Sequence, residues 1–347
     1  MSNLLKRSVP GIAAISGALL LAISGISASG QQPYQVVGQW KIGGSGTWDY
    51  LEFDSAAKVL YITHRTSVTV IDTTSGTVVA TLSDLKNAHG IALDTAGNFG
   101  YISDGLSNDV VVFDRHTYKP VTTVATGTNP DGITFEPVTQ TVWVFNGKSS
   151  DATVIDAATN KVVATIPLPG KPEFPIADGK GSVYDNLEDK GSIVRLDVHS
   201  KKVSAVWKIT GCDAPTGMAF DNEQRRLFSV CDNNKMAAVN ADTGAVLGLA
   251  TIGDSPDAAR YSQRYHLAFS SNGGGTLTVV DAANGYKVIQ NLEIPKGAAT
   301  LAYDEATDRI FLSVADYGPA PASTAKVRHP TAPMVPDSFH VIVVGRK

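Results

Sequence analysis

"TVIDAATNKVVATI", residues 153–166, is nearly a copy of "TVIDTTSGTVVATL", residues 69–82. Each reads as a strand, a corner and a second strand. Val, Ile and Thr alternate through the strands, and Asp followed by Gly or Asn tolerates the turn dihedrals. The same pattern returns in "VVVFDRHTYKPVTTV" (110–124), "SIVRLDVHSKKVSAV" (192–206), "MAAVNADTGAVLGLA" (236–250) and "LTVVDAANGYKVIQNL" (277–292). The corner residues are Asp72, Asp114, Asp156, Asp197, Asn240 and Asp281, spaced 42, 42, 41, 43 and 41 residues apart. A period of about forty with strand-type alternation predicts a β-propeller with four strands per blade.

The front of each repeat is as regular. "DYLEFDSAAKVLYIT" (49–63), "HGIALDTAGNFGYIS" (89–103), "DGITFEPVTQTVWVF" (131–145) and "TGMAFDNEQRRLFSV" (216–230) each read as an inner strand, a turn and a second strand. Six complete units run from residue 49 to 292, and a seventh front half begins near Ala299. That last unit ends in "FHVIVVGRK" (339–347), a third strand with no fourth after it. At the other end "YQVVGQWKI" (34–42) is a strand without a blade. Pairing the two closes the ring and hides the sheet edges. The expectation is an all-β, seven-bladed β-propeller in a single domain over residues 31–347, closed by the N-terminal strand pairing into the last blade.

The "VxVIDxxTGKVVATI" repeat resembles the YVTN-repeat family of exported bacterial propellers, the YncE-like proteins. The resemblance covers essentially the whole chain after residue 30. It implies fold and export; the family is described by its repeat rather than by a shared reaction.

Residues 1–30 read as a secretory signal peptide. Lys6 and Arg7 precede an apolar stretch over 9–26, and the small residues "SASG" (27–30) follow. The stretch is long for a signal, and an uncleaved anchor is the alternative; Gly and Ser interrupt it, and no stop-transfer charges follow. The mature chain is then periplasmic or secreted, with no transmembrane segment. Without Lys6 and Arg7, 27 of the 29 Lys+Arg remain against 33 Asp+Glu, a formal charge of −6. This balance and the lack of a basic run argue against a nucleic-acid partner. The chain is expected to be a monomer. Its two cysteines, Cys212 and Cys231, flank one predicted hairpin and are expected to form a disulfide.

A repeat sets equivalent residues at equivalent depths. Five residues before each front-half marker stand Asp49, His89, Asp131, Glu173, Thr216, Asp257 and Ala299, four of them preceded by Pro130, Pro172, Pro215 and Pro256. The expected result is a ring of carboxylates and one histidine at one mouth of the channel. Asp49, Asp131, Glu173 and Asp257 are the expected ligands of a divalent cation such as Ca²⁺ or Mg²⁺, which relieves their repulsion. The alternative is a polar channel solvated by water. Loops expected on the same face carry His64, Asn146, Glu188, Asp232 and Asn272 as further ligand-binding candidates. Between the last two strands lies a Pro- and Ala-rich insertion over 316–338, either a lid bringing Lys326, Arg328 and His329 over the ring or an idle segment.

No GxSxG elbow is present, and no Ser–His–Asp set follows from spacing. The leading expectation is a scaffold that binds a small polar ligand, a divalent metal or a protein partner at the mouth. The alternative is a metal-dependent hydrolase or lyase, lactonase-like, with His89 or His64 as base. A purely structural role in the cell envelope is a third.

Overall fold

The computed structural model describes residues 32–44, 46–319 and 332–346. The expected leader (1–30) and the centre of the insertion, with Lys326, Arg328 and His329, lie outside them. The described residues from Pro33 onward cluster into one compact unit.

The alternating segments form seven four-stranded antiparallel sheets. Blade three is representative, with strands Pro130–Glu136, Thr141–Asn146, Asp151–Asp156 and Lys161–Pro167 paired in chain order. The stretch at 153–166 is its outer hairpin, with Val154 opposite Ala164 and Asp156 opposite Lys161.

The corner explains why the repeat carries Asp there. Asp156 Oδ1 accepts the backbone N–H of Thr159 at 2.9 Å and its hydroxyl at 2.7 Å. Asp72, Asp114 and Asp197 hold Ser75, Thr117 and Ser200 in the same manner. Asn240 keeps the function because an amide oxygen also accepts: Thr243 N–H donates to its Oδ1 at 2.9 Å. One residue later the chain turns left-handed, at Gly76 (φ 72°) and Asn160 (φ 54°), which accounts for Gly or Asn at that place.

The apolar residues pack between neighbouring blades, so the core is seven wedges rather than one central mass. Tyr61 and Val70 of blade one meet Ile91 and Ile102 of blade two. Phe311 and Val341 of blade seven meet Leu51, Leu60 and Ile62 of blade one, which shuts the ring. Each fully buried side chain of this size contributes on the order of 1.5–3 kcal/mol.

Blade seven is completed by the strand Gln35–Lys41, antiparallel to His340–Gly345, with Gln39 opposite Ile342. Trp40 lies on Phe311 with ring centroids 5.3 Å apart. The end of the latch is tied down as well. Tyr34 donates its hydroxyl to Asp308 Oδ1 at 2.7 Å, and Arg346 Nε donates to Asp308 Oδ2 at 2.6 Å. Gln290 clamps the Tyr34 backbone with bonds of 2.9 and 2.7 Å.

Cys212 and Cys231 form the disulfide, with Cα atoms 5.4 Å apart. Cys231 pairs in the sheet with Pro215 rather than with Cys212, so the bridge ties the approach loop to the end of the second strand. At the base of the insertion, Tyr317 bridges Met334, and Gly318 N–H donates to Pro333 O at 2.8 Å.

Candidate functional site

Most innermost strands carry an irregularity where they meet the mouth, for example between Pro130 and Ile133 and between Pro172 and Pro175. A bulge here places two successive residues at the axis instead of one. The first is the mouth residue. The second is Gly90, Gly132 or Gly217 in three blades, and neighbouring backbone explains the choice: a Cβ on Gly217 would stand 2.4 Å from Asp257 O, and one on Gly132 2.6 Å from Glu173 O. The mouth backbone is held by donors from the preceding blade. Ser103 Oγ donates to Asp131 O at 2.5 Å, Asn186 Nδ2 to Thr216 O at 2.6 Å, and Thr300 Oγ1 to Asp49 O at 2.7 Å.

Asp49, His89, Asp131, Glu173, Thr216 and Asp257 all line one cavity of about 100 Å³. In blade seven the lining passes to Thr300 and Leu301, not Ala299. At its centre His89 Nδ1 lies 2.7 Å from Asp49 Oδ2 and 3.7 Å from Asp131 Oδ1, while His89 Nε2 meets Asn87 Nδ2 at 2.6 Å. Asn87 offers only donors from its amide nitrogen, so Nε2 accepts and Nδ1 carries the proton given to Asp49. Ligand atoms of Asp49, His89 and Asp131 all lie within 4.8 Å of one another.

Crowding sets the protonation. Burial, followed by the charge of Asp49 and opposed by His89, raises Asp131 to about 6. Burial and then Asp131 raise Glu173 to about 7. Burial, with Asp49 and Asp131 behind it, raises Asp257 to about 7. Burial works against a charged His89, but the bond to Asp49 and the charges of Asp131 and Glu173 outweigh it and lift the imidazole above its ordinary value. Lys171 supplies the nearby cation, 3.3 Å from Glu173 and bonded to Glu188. Asp185 on the next strand is buried, both its oxygens are unpartnered, and burial, followed by the charge of Glu173, pushes its carboxyl well above the ordinary carboxylate range.

Several loop candidates stand elsewhere. His64 stacks on Phe339 at 5.2 Å, and burial lowers its pKa. Asn146 and Asn272 are fully buried and spend their amide nitrogens on local turns, Asn146 on Asp151 and Thr153 and Asn272 on Thr276 and Thr278. Glu188 reaches the ring through Lys171. Asp232 is exposed and acts on Asp257 through its charge.

The floor of the cavity was not anticipated from the sequence. Tyr50 and Phe174 occupy the positions that are Gly in three other blades, and they stack with centroids 5.3 Å apart and planes at 22°. Tyr50 donates its hydroxyl to Glu173 O at 3.0 Å, and Arg260 lies over the Phe174 ring at 5.5 Å. Tyr50, Phe174 and Arg260 line this cavity and a second one next to it. The signal was present: two aromatics interrupt a column of small residues, and that is legible only once the bulge is known to turn that column to the axis.

No protein-family model matches the sequence, and no curated protein matches it. Solved structures do. The chain superposes on U3-55K with a TM-score of 0.73 at 12% identity, covering 90% of this chain and 99% of that one. It superposes on the WD40 repeats of RRP9 with a TM-score of 0.74 at 12% identity over 90% and 99% of the two chains. A chain of Kuenenia stuttgartiensis hydrazine synthase matches with a TM-score of 0.69 at 14% identity over 84% and 97%. At such identities the likeness is one of fold, and the fold is a seven-bladed propeller of four-stranded antiparallel blades, its ring closed by the N-terminal strand.

Proposed function

We propose that the mouth binds a divalent cation through Asp49, His89 and Asp131 and presents it to a small polar ligand. The observation that carries this reading is the convergence of two carboxylates and an imidazole within 4.8 Å. Ligands about 2.1 Å from a first-row ion sit roughly 3–3.5 Å from one another. The separations of 2.7 and 3.7 Å around His89 Nδ1 bracket that spacing, so small side-chain rotations suffice once the ion displaces the Nδ1 proton. The raised Asp131, Glu173 and Asp257 support it, since a cation offsets the repulsion that raises them. An imidazole nitrogen in the set favours Mn²⁺ or Zn²⁺ over the all-oxygen preference of Ca²⁺ and Mg²⁺.

The test is elemental analysis of the purified protein, then calorimetric titration with Mn²⁺, Zn²⁺, Ca²⁺ and Mg²⁺ after chelation. Asp131→Asn weakens the preferred ion at least tenfold. Absence of saturable binding at millimolar ion sinks the reading.

The Asp49–His89 pair favours a second reading, a metal-dependent hydrolase or lyase in which the oriented imidazole moves a proton. Turnover of simple lactones, dependent on added ion and lost in His89→Gln, distinguishes it from binding alone. The repeat wording supports membership of the YVTN-repeat family. The composition of residues 1–30, together with the disulfide, supports export to the periplasm or medium. No helix among the described residues is long and apolar enough to cross a membrane.

A further inference from the structure

On the far side of the Tyr50–Phe174 stack the channel opens into a second chamber of about 500 Å³. Its walls include Leu93, Phe135, Met218 and Phe220, and its outer lining includes residues just past the inner strands, such as Thr95 and Asn222. The chamber is of the size that takes a small organic molecule, and most of its lining residues are apolar, with Glu52, Thr134 and Asp178 among the polar ones.

Its deep end carries a charge that the protein does not neutralise directly. The third residue after the mouth position is Glu52, Ala92, Thr134, Ile176, Ala219, Arg260 and Ala302 around the ring, so Arg260 is the one cation in this column. Arg260 Nη1 donates to Ala259 O at 2.9 Å and Nη2 to Leu51 O at 3.2 Å. Among the described residues no carboxylate oxygen lies within 4.0 Å of its guanidinium, whereas Arg115, Arg225, Arg226 and Arg346 each have one, such as Arg226 with Asp221 at 2.6 Å. Glu52 is the carboxylate that Arg260 feels most, and burial raises Glu52 to about 7, which leaves it half protonated near neutrality. A guanidinium has five donors; two are spent on carbonyls, and its flank rests on Phe174. A partly desolvated cation with spare donors at the end of an apolar chamber is complementary to an anion with an apolar body.

We propose that this chamber is a second binding site, for a small amphipathic carboxylate whose head group meets Arg260 and whose apolar body lies against Leu93, Phe135 and Phe220. The aromatic stack lies between this ligand and the acidic mouth, and Arg260 lines both cavities, so its guanidinium stands at the boundary of the two. Arg260 fixes the sign of the head group, Glu52 beside it disfavours a second negative charge, and the walls reward hydrocarbon.

The experiment is calorimetric titration of the chelated protein with octanoate and, as the uncharged counterpart, octanol. Octanoate binds at least tenfold more tightly than octanol. Arg260→Met keeps the stem and removes the charge, and it brings octanoate down to the octanol level. Glu52→Gln removes the competing carboxylate and tightens octanoate several-fold at about pH 8. Equal binding of the two probes, no binding of either at millimolar concentration, or unchanged octanoate affinity in Arg260→Met overturns the proposal. Should Arg260→Met not fold, unchanged affinity in Glu52→Gln overturns it alone.

Discussion

Replacing Asp257 by Asn should stabilise the protein above neutral pH, and the size of the gain follows from the mouth. The Asp257 carboxyl is raised from its ordinary 3.8 to about 7 by burial and by the charges of Asp49 and Asp131. The folded chain therefore keeps a proton on Asp257 over a window in which the unfolded chain has lost it. Below the lower value both states are protonated, and the group is neutral to stability. As pH rises through the window stability falls, and above about pH 7 the whole cost is present. A displacement of about three units corresponds to about 4 kcal/mol as an upper bound. Relaxation and water in the open mouth reduce this to about 1–3 kcal/mol. Asparagine keeps the shape and removes the charge. Urea unfolding of D257N and the parent at about pH 8 and pH 4 measures the difference. The variant is more stable at the higher pH and equal at the lower, and saturating Mn²⁺ narrows the gap by stabilising the parent. A gain of the same size at both pH values, or a loss at pH 8, refutes the electrostatic account of the mouth.

Cys212→Ser removes a bridge spanning 19 residues, and its loss costs about 3 kcal/mol, read as a lower urea midpoint with an unchanged native spectrum. Asp308→Asn takes away the charge that faces Arg346 and weakens the bonds from Tyr34 and Tyr303, costing about 2–4 kcal/mol and increasing protease cleavage near residue 34. Gly217→Ala forces a methyl to 2.4 Å from Asp257 O, so blades five and six must part; about 2 kcal/mol or more is lost, and ion binding at the mouth weakens with it.

Much of the fold was legible because a propeller is written locally. The spacing of Asp72, Asp114 and Asp156 shows the period, and the Asp that caps each corner does so within three residues of itself. The orphan strand at 34–42 and the incomplete last unit were likewise visible as two halves of one deficit, which the pairing of Gln39 with Ile342 resolves. The mouth was legible for the same reason. Asp49, His89, Asp131, Glu173, Thr216 and Asp257 share one place in the repeat, and symmetry brings them to one cavity. The loop residues were not, because Asn146 and Asn272 have the same polarity whether they face a ligand or cap a turn, and only their neighbours show that they cap turns.

What the sequence determined by itself is periodic and near-neighbour: strand alternation, corner chemistry, blade count and the rank of each residue within its blade. What the tertiary structure decided is what happens around the axis, between residues of different blades. There Tyr50 meets Phe174, Arg260 is left with carbonyls instead of a carboxylate, and His89 takes Asp49 as its partner. The physical reason is that a repeat specifies depth and direction for each side chain, whereas contact across a channel depends on side-chain length, rotamer and desolvation at a meeting point that no single blade contains.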